Sequence, residues 1–63
     1  MPQDLADALA ESVLAQKYYD SLAPSYQKQY LWWLKSAKRP QTRQKRVLAI
    51  VDRCERGVKP GML

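Results

Sequence analysis

Prolines divide this 63-residue chain into short segments, and their spacing limits the possible folds more than any other feature. Pro2, Pro24 and Pro40 each stand directly before a segment whose apolar residues recur every three or four positions. A proline in the first turn of a helix sacrifices no hydrogen bond, and its φ angle is already helical. The residue before a proline is disfavoured in the helical conformation, so a helix must also end shortly before Pro40. The sequence therefore predicts short helices joined by tight turns.

The apolar pattern predicts four such helices. Their predicted ranges are 2–10, 13–22, 24–38 and 40–56. Ser12 is the expected N-cap of the second helix, since its hydroxyl can accept a hydrogen bond from an unpaired amide, and we expect the chain to bend there. Gly57 is the expected C-cap of the fourth helix, because glycine adopts the left-handed conformation at low cost. Residues 1–58 are predicted to form a single helical domain, with 59–63 as a frayed C-terminal tail.

One apolar face on each segment predicts a shared core. On the third segment Tyr26, Tyr30 and Leu34 recur at four-residue intervals, with Trp33 beside them. The predicted core consists of Leu5, Leu9, Leu14, Tyr18, Leu22, Tyr26, Tyr30, Trp33, Leu34, Val47, Ile50, Val51 and Cys54. A chain of this length has only a thin core, because it buries about 60% of its unfolded surface. We predict an all-α fold, a compact small bundle of three to four short helices.

The residue types present argue against catalysis. The chain has no histidine and one cysteine, Cys54, and it shows neither a glycine-rich phosphate loop nor an acid cluster with metal-ligand spacing. Cys54 is therefore expected to be a small buried apolar residue. We expect a protein that is not an enzyme, with no catalytic, cofactor-binding or metal-binding residues. Because no apolar run reaches about 18 residues and the N-terminus is acidic, we also expect a cytoplasmic chain.

Charge is divided unevenly along the chain. Residues 1–23 hold four acids and one base, a net charge of −3, whereas residues 24–63 hold ten bases and two acids, a net charge of +8. These two values give the overall +5. Such asymmetry indicates either an internal match between acidic and basic faces or a basic surface for an anionic partner.

Trp32 is the residue that most suggests a contact surface. It lies about 100° around the helix from Trp33, between Lys28 and Lys35. Its indole either anchors a contact or is shielded by the alkyl stems of the two lysines, and the sequence leaves both readings open. The candidate interaction surface consists of Trp32, Lys28, Lys35, Arg46, Arg53 and Arg56, the three arginines being expected on the solvent face of the fourth helix.

The turn before the fourth helix also has two readings. Its cations stand near the amide-rich start of a helix, where they could hold an anion. We favour a structural reading, in which Arg39 caps the carbonyl groups at the end of the third helix and Arg43 reaches an acid such as Asp20. Arg43 falls on the apolar face of its helix, where a charge usually needs a nearby carboxylate.

Four segments in order, DLADAL, YYDSL, PSYQKQYLWWL and AKRPQTRQKRV, resemble the helical C-terminal region of the YdeI/OmpD-associated family, also described as bacteriocin-protection. The resemblance runs from Pro2 to about Cys54, and its most specific part lies between Tyr30 and Arg46. It assigns the family's tyrosine to Tyr30 and its tryptophan to Trp33. The family's turn motif corresponds to Arg39, Pro40, Thr42 and Arg43. The chain departs from the family pattern at Trp32, where a polar or charged residue is usual.

The resemblance implies a link to bacteriocin or envelope-stress protection and attaches no biochemical activity to the helical region. Combined with the residues, it predicts a non-enzymatic helical interaction or accessory module that acts through a basic, tryptophan-bearing surface. The expected partner is a protein or a separate domain. The alternative is an anionic polymer, either nucleic acid or an anionic membrane surface, bound through the basic helical faces.

Overall fold

The computed structural model describes residues 2–58 and residue 60. In order along the chain its helices are α1 (Gln3–Ala10), α2 (Val13–Ser21), α3 (Pro24–Lys35) and α4 (Pro40–Arg56). No strand occurs among the described residues. The predicted all-α small bundle is confirmed.

The predicted bend between α1 and α2 is present at Ser12. The Ser12 backbone is extended, and its hydroxyl accepts a hydrogen bond from the Ala15 amide at 3.2 Å. This is the side-chain cap that the sequence predicted, and it starts α2 in a new direction.

The end of α4 is also set locally. Gly57 has a φ angle of 72°, the left-handed conformation that favours glycine. The Gly57 amide bonds to the Cys54 carbonyl at 3.2 Å and the Val58 amide to the Arg53 carbonyl at 2.8 Å. This pair of bonds is a Schellman motif, and it turns the chain back towards the bundle.

The third helix is shorter than predicted, because α3 ends at Lys35 rather than at residue 38. The Ser36 hydroxyl and the Arg46 guanidinium each donate a hydrogen bond to the Trp33 carbonyl at 2.7 Å. These donors satisfy a carbonyl group in the last turn, so the helix can stop there without leaving it unpaired.

α4 is the central element, since α1, α2 and α3 all pack against it, and α1 also packs against α2. The buried apolar residues are Leu5, Leu9, Ala15, Tyr19, Leu22, Tyr30, Leu34, Val47, Ile50 and Cys54. Around them lie the partly buried Ala8, Tyr18, Tyr26, Leu31, Trp33 and Val51. Each helix therefore contributes to one continuous core.

The prediction of Leu14 as a core residue is wrong. Leu14 is 66% exposed, while Ala15 and Tyr19 are buried and Tyr18 is only partly buried. The buried face of α2 is thus rotated by one residue from the predicted one. Because the spacing of packed helices depends on the side chains between them, the small Ala15 lets α2 lie close to its neighbours, which the larger Leu14 would prevent.

Pro60 is held more firmly than predicted. The fully buried Tyr30 donates a hydrogen bond from its hydroxyl to the Val58 carbonyl at 2.7 Å, and Pro60 is buried. The prediction of a frayed tail is therefore wrong for Pro60, and the tail's other residues, 59 and 61–63, lie outside the described residues.

Candidate interaction surfaces

The Trp32 face of α3, which consists of Lys28, Trp32 and Lys35, is fully turned to solvent. The Trp32 side chain is 73% exposed, and both lysines are exposed. They stand four residues before and three residues after the indole, so all three lie on one side of the helix. Exposure of this extent shows that the lysine stems do not cover the indole.

The neighbouring Trp33 has a different environment, between α3 and α4. The guanidinium carbons of Arg46 and Arg53 lie 5.1 and 5.3 Å from the centroid of its ring, within the range of cation–π attraction. Arg46 also donates hydrogen bonds to the Trp33 carbonyl and to the Ser36 hydroxyl, both at 2.7 Å. Arg46, and not Arg39, caps the end of α3.

The prediction that three arginines of α4 lie on its solvent face is therefore wrong for two of them. Arg46 and Arg53 are partly buried against Trp33. The Nη1 atom of Arg53 is buried and has no hydrogen-bond partner among the described residues, and the adjacent indole face offsets part of its lost hydration. Arg56 is exposed and pairs with Asp52 one turn earlier at 3.3 Å. The three arginines are thus already engaged within the domain.

The turn before α4 is fastened by an ion pair that links it to α1. Arg43 Nε and Nη2 donate to the two carboxylate oxygens of Asp4 at 2.7 and 3.2 Å, a two-pronged geometry. The hydrogen bond from Arg43 lowers the pKa of Asp4 below its ordinary value. Arg43 therefore pairs with an acid inside the domain, as predicted, but that acid is Asp4 and not Asp20. Asp20 accepts a hydrogen bond from Gln16 instead.

Sequence reasoning missed a groove between α1 and α4, with a volume of about 470 Å³. It is lined by Asp4, Asp7, Ala8, Glu11, Pro40, Arg43, Gln44, Val47 and Leu48. We call it the α1/α4 groove. Its α1 wall carries three acids, and Leu48, 62% exposed, stands on its α4 wall. The sequence signal was present in the spacing of the three acids, which puts them on one side of α1.

Two buried groups with potential reactivity are held in their neutral forms. Burial raises the pKa of the Cys54 thiol to about 11. Burial is also the largest of the causes that raise the pKa of the Tyr30 phenol to about 12. Burial likewise raises the pKa of Tyr19. Because the anionic forms are the reactive ones, these side chains contribute to packing.

The described residues form neither a metal-binding cluster nor a membrane-spanning helix. They contain no group of three or more histidine, cysteine, aspartate or glutamate side chains placed to hold a metal ion. Within the same part of the chain, none of the helices has both the length and the apolar character needed to cross a membrane.

Comparison with known proteins places the chain in a family. No curated protein and no solved structure shows a significant match to it. A family model described as "Bacteriocin-protection, YdeI or OmpD-Associated" matches residues 1–57, which is nearly all of the chain. The matched range covers α1 to α4 and the Gly57 cap. The chain therefore belongs to the bacteriocin-protection, YdeI or OmpD-associated (OmdA) family.

Proposed function

We propose that this chain is a non-enzymatic accessory module that binds a protein partner, or a separate domain, through the Trp32 face. The observation that carries the proposal is the 73% exposure of Trp32 between two exposed lysines. An exposed indole is a preferred anchor in protein interfaces, because it offers a large rigid apolar surface and one hydrogen-bond donor.

The positions of the other cations support a protein partner over an anionic polymer. Binding of nucleic acid or an anionic membrane relies on many available cations that neutralise phosphates. Arg43 is paired with Asp4, Arg56 with Asp52, and the guanidinium groups of Arg46 and Arg53 lie against Trp33. The three arginines expected to bind an anionic polymer, Arg46, Arg53 and Arg56, are therefore already engaged within the domain, which leaves the exposed indole as the stronger feature.

The same observations support a role without chemistry of its own. The buried Cys54 and Tyr30 have raised pKa values, and neither is accessible to a substrate in the described residues. The family description adds a biological setting, and we propose that the module assists protection against bacteriocins through its contact with the partner.

Partner capture by an immobilised chain tests the proposal. The bait is exposed to a lysate of the source organism, and retained proteins are compared for the parent, Trp32→Ala and Val13→Ala. Val13 is a matched control, since it is also a large exposed apolar residue. We expect Trp32→Ala to lose a partner that Val13→Ala retains, and we expect this binding to survive moderate salt, because a buried aromatic contact is not screened.

Two results would overturn this proposal. If Trp32→Ala retains the same proteins as the parent, the Trp32 face is not the contact surface. If retention is dominated by nucleic acid or lipid and falls steeply with salt, the anionic-polymer alternative is correct.

A further inference from the structure

We propose that the α1/α4 groove of one copy of this chain receives the Trp32 face of a second copy. The inference rests on the proposed function of the Trp32 face, and it names the partner as the chain itself. It joins two features that are separate within one molecule: an acidic groove with apolar side chains in its wall, and a basic helix face with an exposed indole.

The charges of the two surfaces are complementary. On the groove side, Asp7 accepts a hydrogen bond from the neutral Gln3 amide at 2.7 Å, and Glu11 has no ion pair among the described residues. On the face, Lys28 and Lys35 likewise have no ion pair in the described part of the chain. Pairing two acids with two lysines would give each charge an opposite neighbour, which favours this orientation over others.

The α1/α4 groove is also large enough to admit the indole. The lysines flank Trp32 on α3, seven residues apart, and the acids of α1 border a groove whose other wall offers Val47 and Leu48. A volume of about 470 Å³ lies in the range of pockets that enclose small organic groups, so an indole can enter. Its entry would cover both Trp32 and Leu48, which are among the largest exposed apolar side chains.

The contact has to be intermolecular. Every residue that lines the groove belongs to α1, the adjoining Glu11 or α4, and none belongs to α3. The Trp32 indole is exposed, so it does not occupy the groove of its own chain. One helix face in one groove buries less than the roughly 1,200 Å² typical of stable complexes, so we expect a transient association that grows with concentration.

Charge reversal followed by mixing tests this pairing. The groove is reversed with Asp7→Lys/Glu11→Lys, and the Trp32 face is reversed with Lys28→Glu/Lys35→Glu. Sedimentation equilibrium over a range of concentrations measures self-association of the parent and of each variant. We expect each variant alone to weaken the self-association by about tenfold or more, because like charges then meet. An equimolar mixture of the two should associate again, since opposite charges are restored across the contact.

Matched controls remove effects of net charge and of folding. Asp20→Lys/Glu55→Lys and Lys17→Glu/Lys45→Glu change the net charge by the same amounts at other exposed positions. Each of these two control variants should self-associate as strongly as the parent. Circular dichroism should show native helix content in every variant. Trp32→Ala should weaken the association without any change of charge.

The outcomes separate this inference from the proposed function. A parent that stays monomeric at every concentration, or reversed variants that fail to associate when mixed, overturns the pairing of groove and face. If the lysate experiment still shows a Trp32-dependent partner, the proposed function survives that result and the occupant is a different protein. Self-association that is unchanged by Trp32→Ala would overturn the inference on its own.

Discussion

α4 meets α3 and α1 through two junctions that are filled in different ways. At the α3/α4 junction the Trp33 ring lies against the guanidinium groups of Arg46 and Arg53. At the α1/α4 junction the outer part is the open groove, and an exposed ion pair between Asp4 and Arg43 fastens one end of it.

The arginines of α4 therefore serve two purposes. Arginines that pack on an aromatic ring lose their hydration and close the junction, whereas an exposed ion pair contributes little stability and leaves the adjacent surface free. The filled junction should therefore carry stability, and the open one should remain available for contact. Substitutions at the two junctions test whether they differ in this way.

The largest effect is expected at Tyr30, below the filled junction. Tyr30→Ala removes a fully buried ring and should lower the free energy of unfolding by about 3–5 kcal/mol, measured by urea denaturation. Tyr30→Phe keeps the ring and removes only the hydrogen bond to the Val58 carbonyl, so it should cost about 1–2 kcal/mol. Equal losses would mean that the tether to the C-terminal segment, and not the ring, is the main contribution.

The next largest effect is expected at Trp33, and its substitution should lower stability much more than that of the adjacent Trp32. Trp33→Ala removes a partly buried ring and its two cation–π contacts, and we expect a loss of about 3 kcal/mol. Trp32→Ala should change stability by no more than about 0.5 kcal/mol, as is usual for exposed positions. Thermal melts of both variants measure the difference. Similar melting temperatures would contradict the assignment of one ring to the junction and the other to the surface.

Local signals made much of the fold predictable from sequence. The prolines, the Ser12 cap and the Gly57 cap act within a few residues of themselves, so the bend and the boundaries of α4 were predicted correctly. The rotation of α2 about its axis was not predicted correctly, because its apolar residues fit two stripes that lie one residue apart. Only the packing of α2 against α4 decides between Leu14 and Ala15.

The candidate site was less predictable, because it depends on contacts between distant residues. Arg43 pairs with Asp4, which is 39 positions away in the sequence. The α1/α4 groove forms only when α1 packs against α4. The roles of Arg46 and Arg53 follow from the position of the Trp33 ring in space. The side of α3 on which Trp32 lies could be predicted from the facing of a single helix, but the sequence left open whether the lysine stems shield its indole.

Alkaline conditions should weaken the filled side of the bundle. The pKa of Cys54 is raised from 9.0 to about 11 and that of Tyr30 from 10.0 to about 12, so the unfolded chain loses these protons first. The contribution of each group to the free energy of unfolding is fully present below its pKa in the unfolded chain. As the pH rises from that pKa to the pKa in the folded chain, the contribution falls by about 1.4 kcal/mol per pH unit. Melts from pH 8 upward should show this, and Cys54→Ala should reduce the slope between about pH 9 and 11.

A smaller effect is expected when the cap on α3 is removed. Arg46→Ala deletes the hydrogen bond to the Trp33 carbonyl and one of the two contacts with the ring, which should cost about 1–2 kcal/mol. Lys45→Ala is the matched control, because it removes an exposed cation from the neighbouring position of α4. Urea denaturation compares the two variants. If they are equally stable, Arg46 does not close the junction.

The smallest effect is expected at the open junction, and it should depend on pH. A hydrogen bond from Arg43 lowers the pKa of Asp4 below its ordinary value of 3.8. A lowered pKa contributes stability above the unfolded pKa, and this contribution is lost as pH falls through the folded pKa. Arg43→Ala should therefore be slightly less stable than the parent at neutral pH and should lose that difference in acid, as the pH falls through the lowered pKa of Asp4. Arg39→Ala removes an exposed cation that has no ion pair in the described part of the chain, and it should show no such dependence. A difference between Arg43→Ala and the parent that persists in acid would assign the role of Arg43 to packing of its stem, and the open junction would then resemble the filled one.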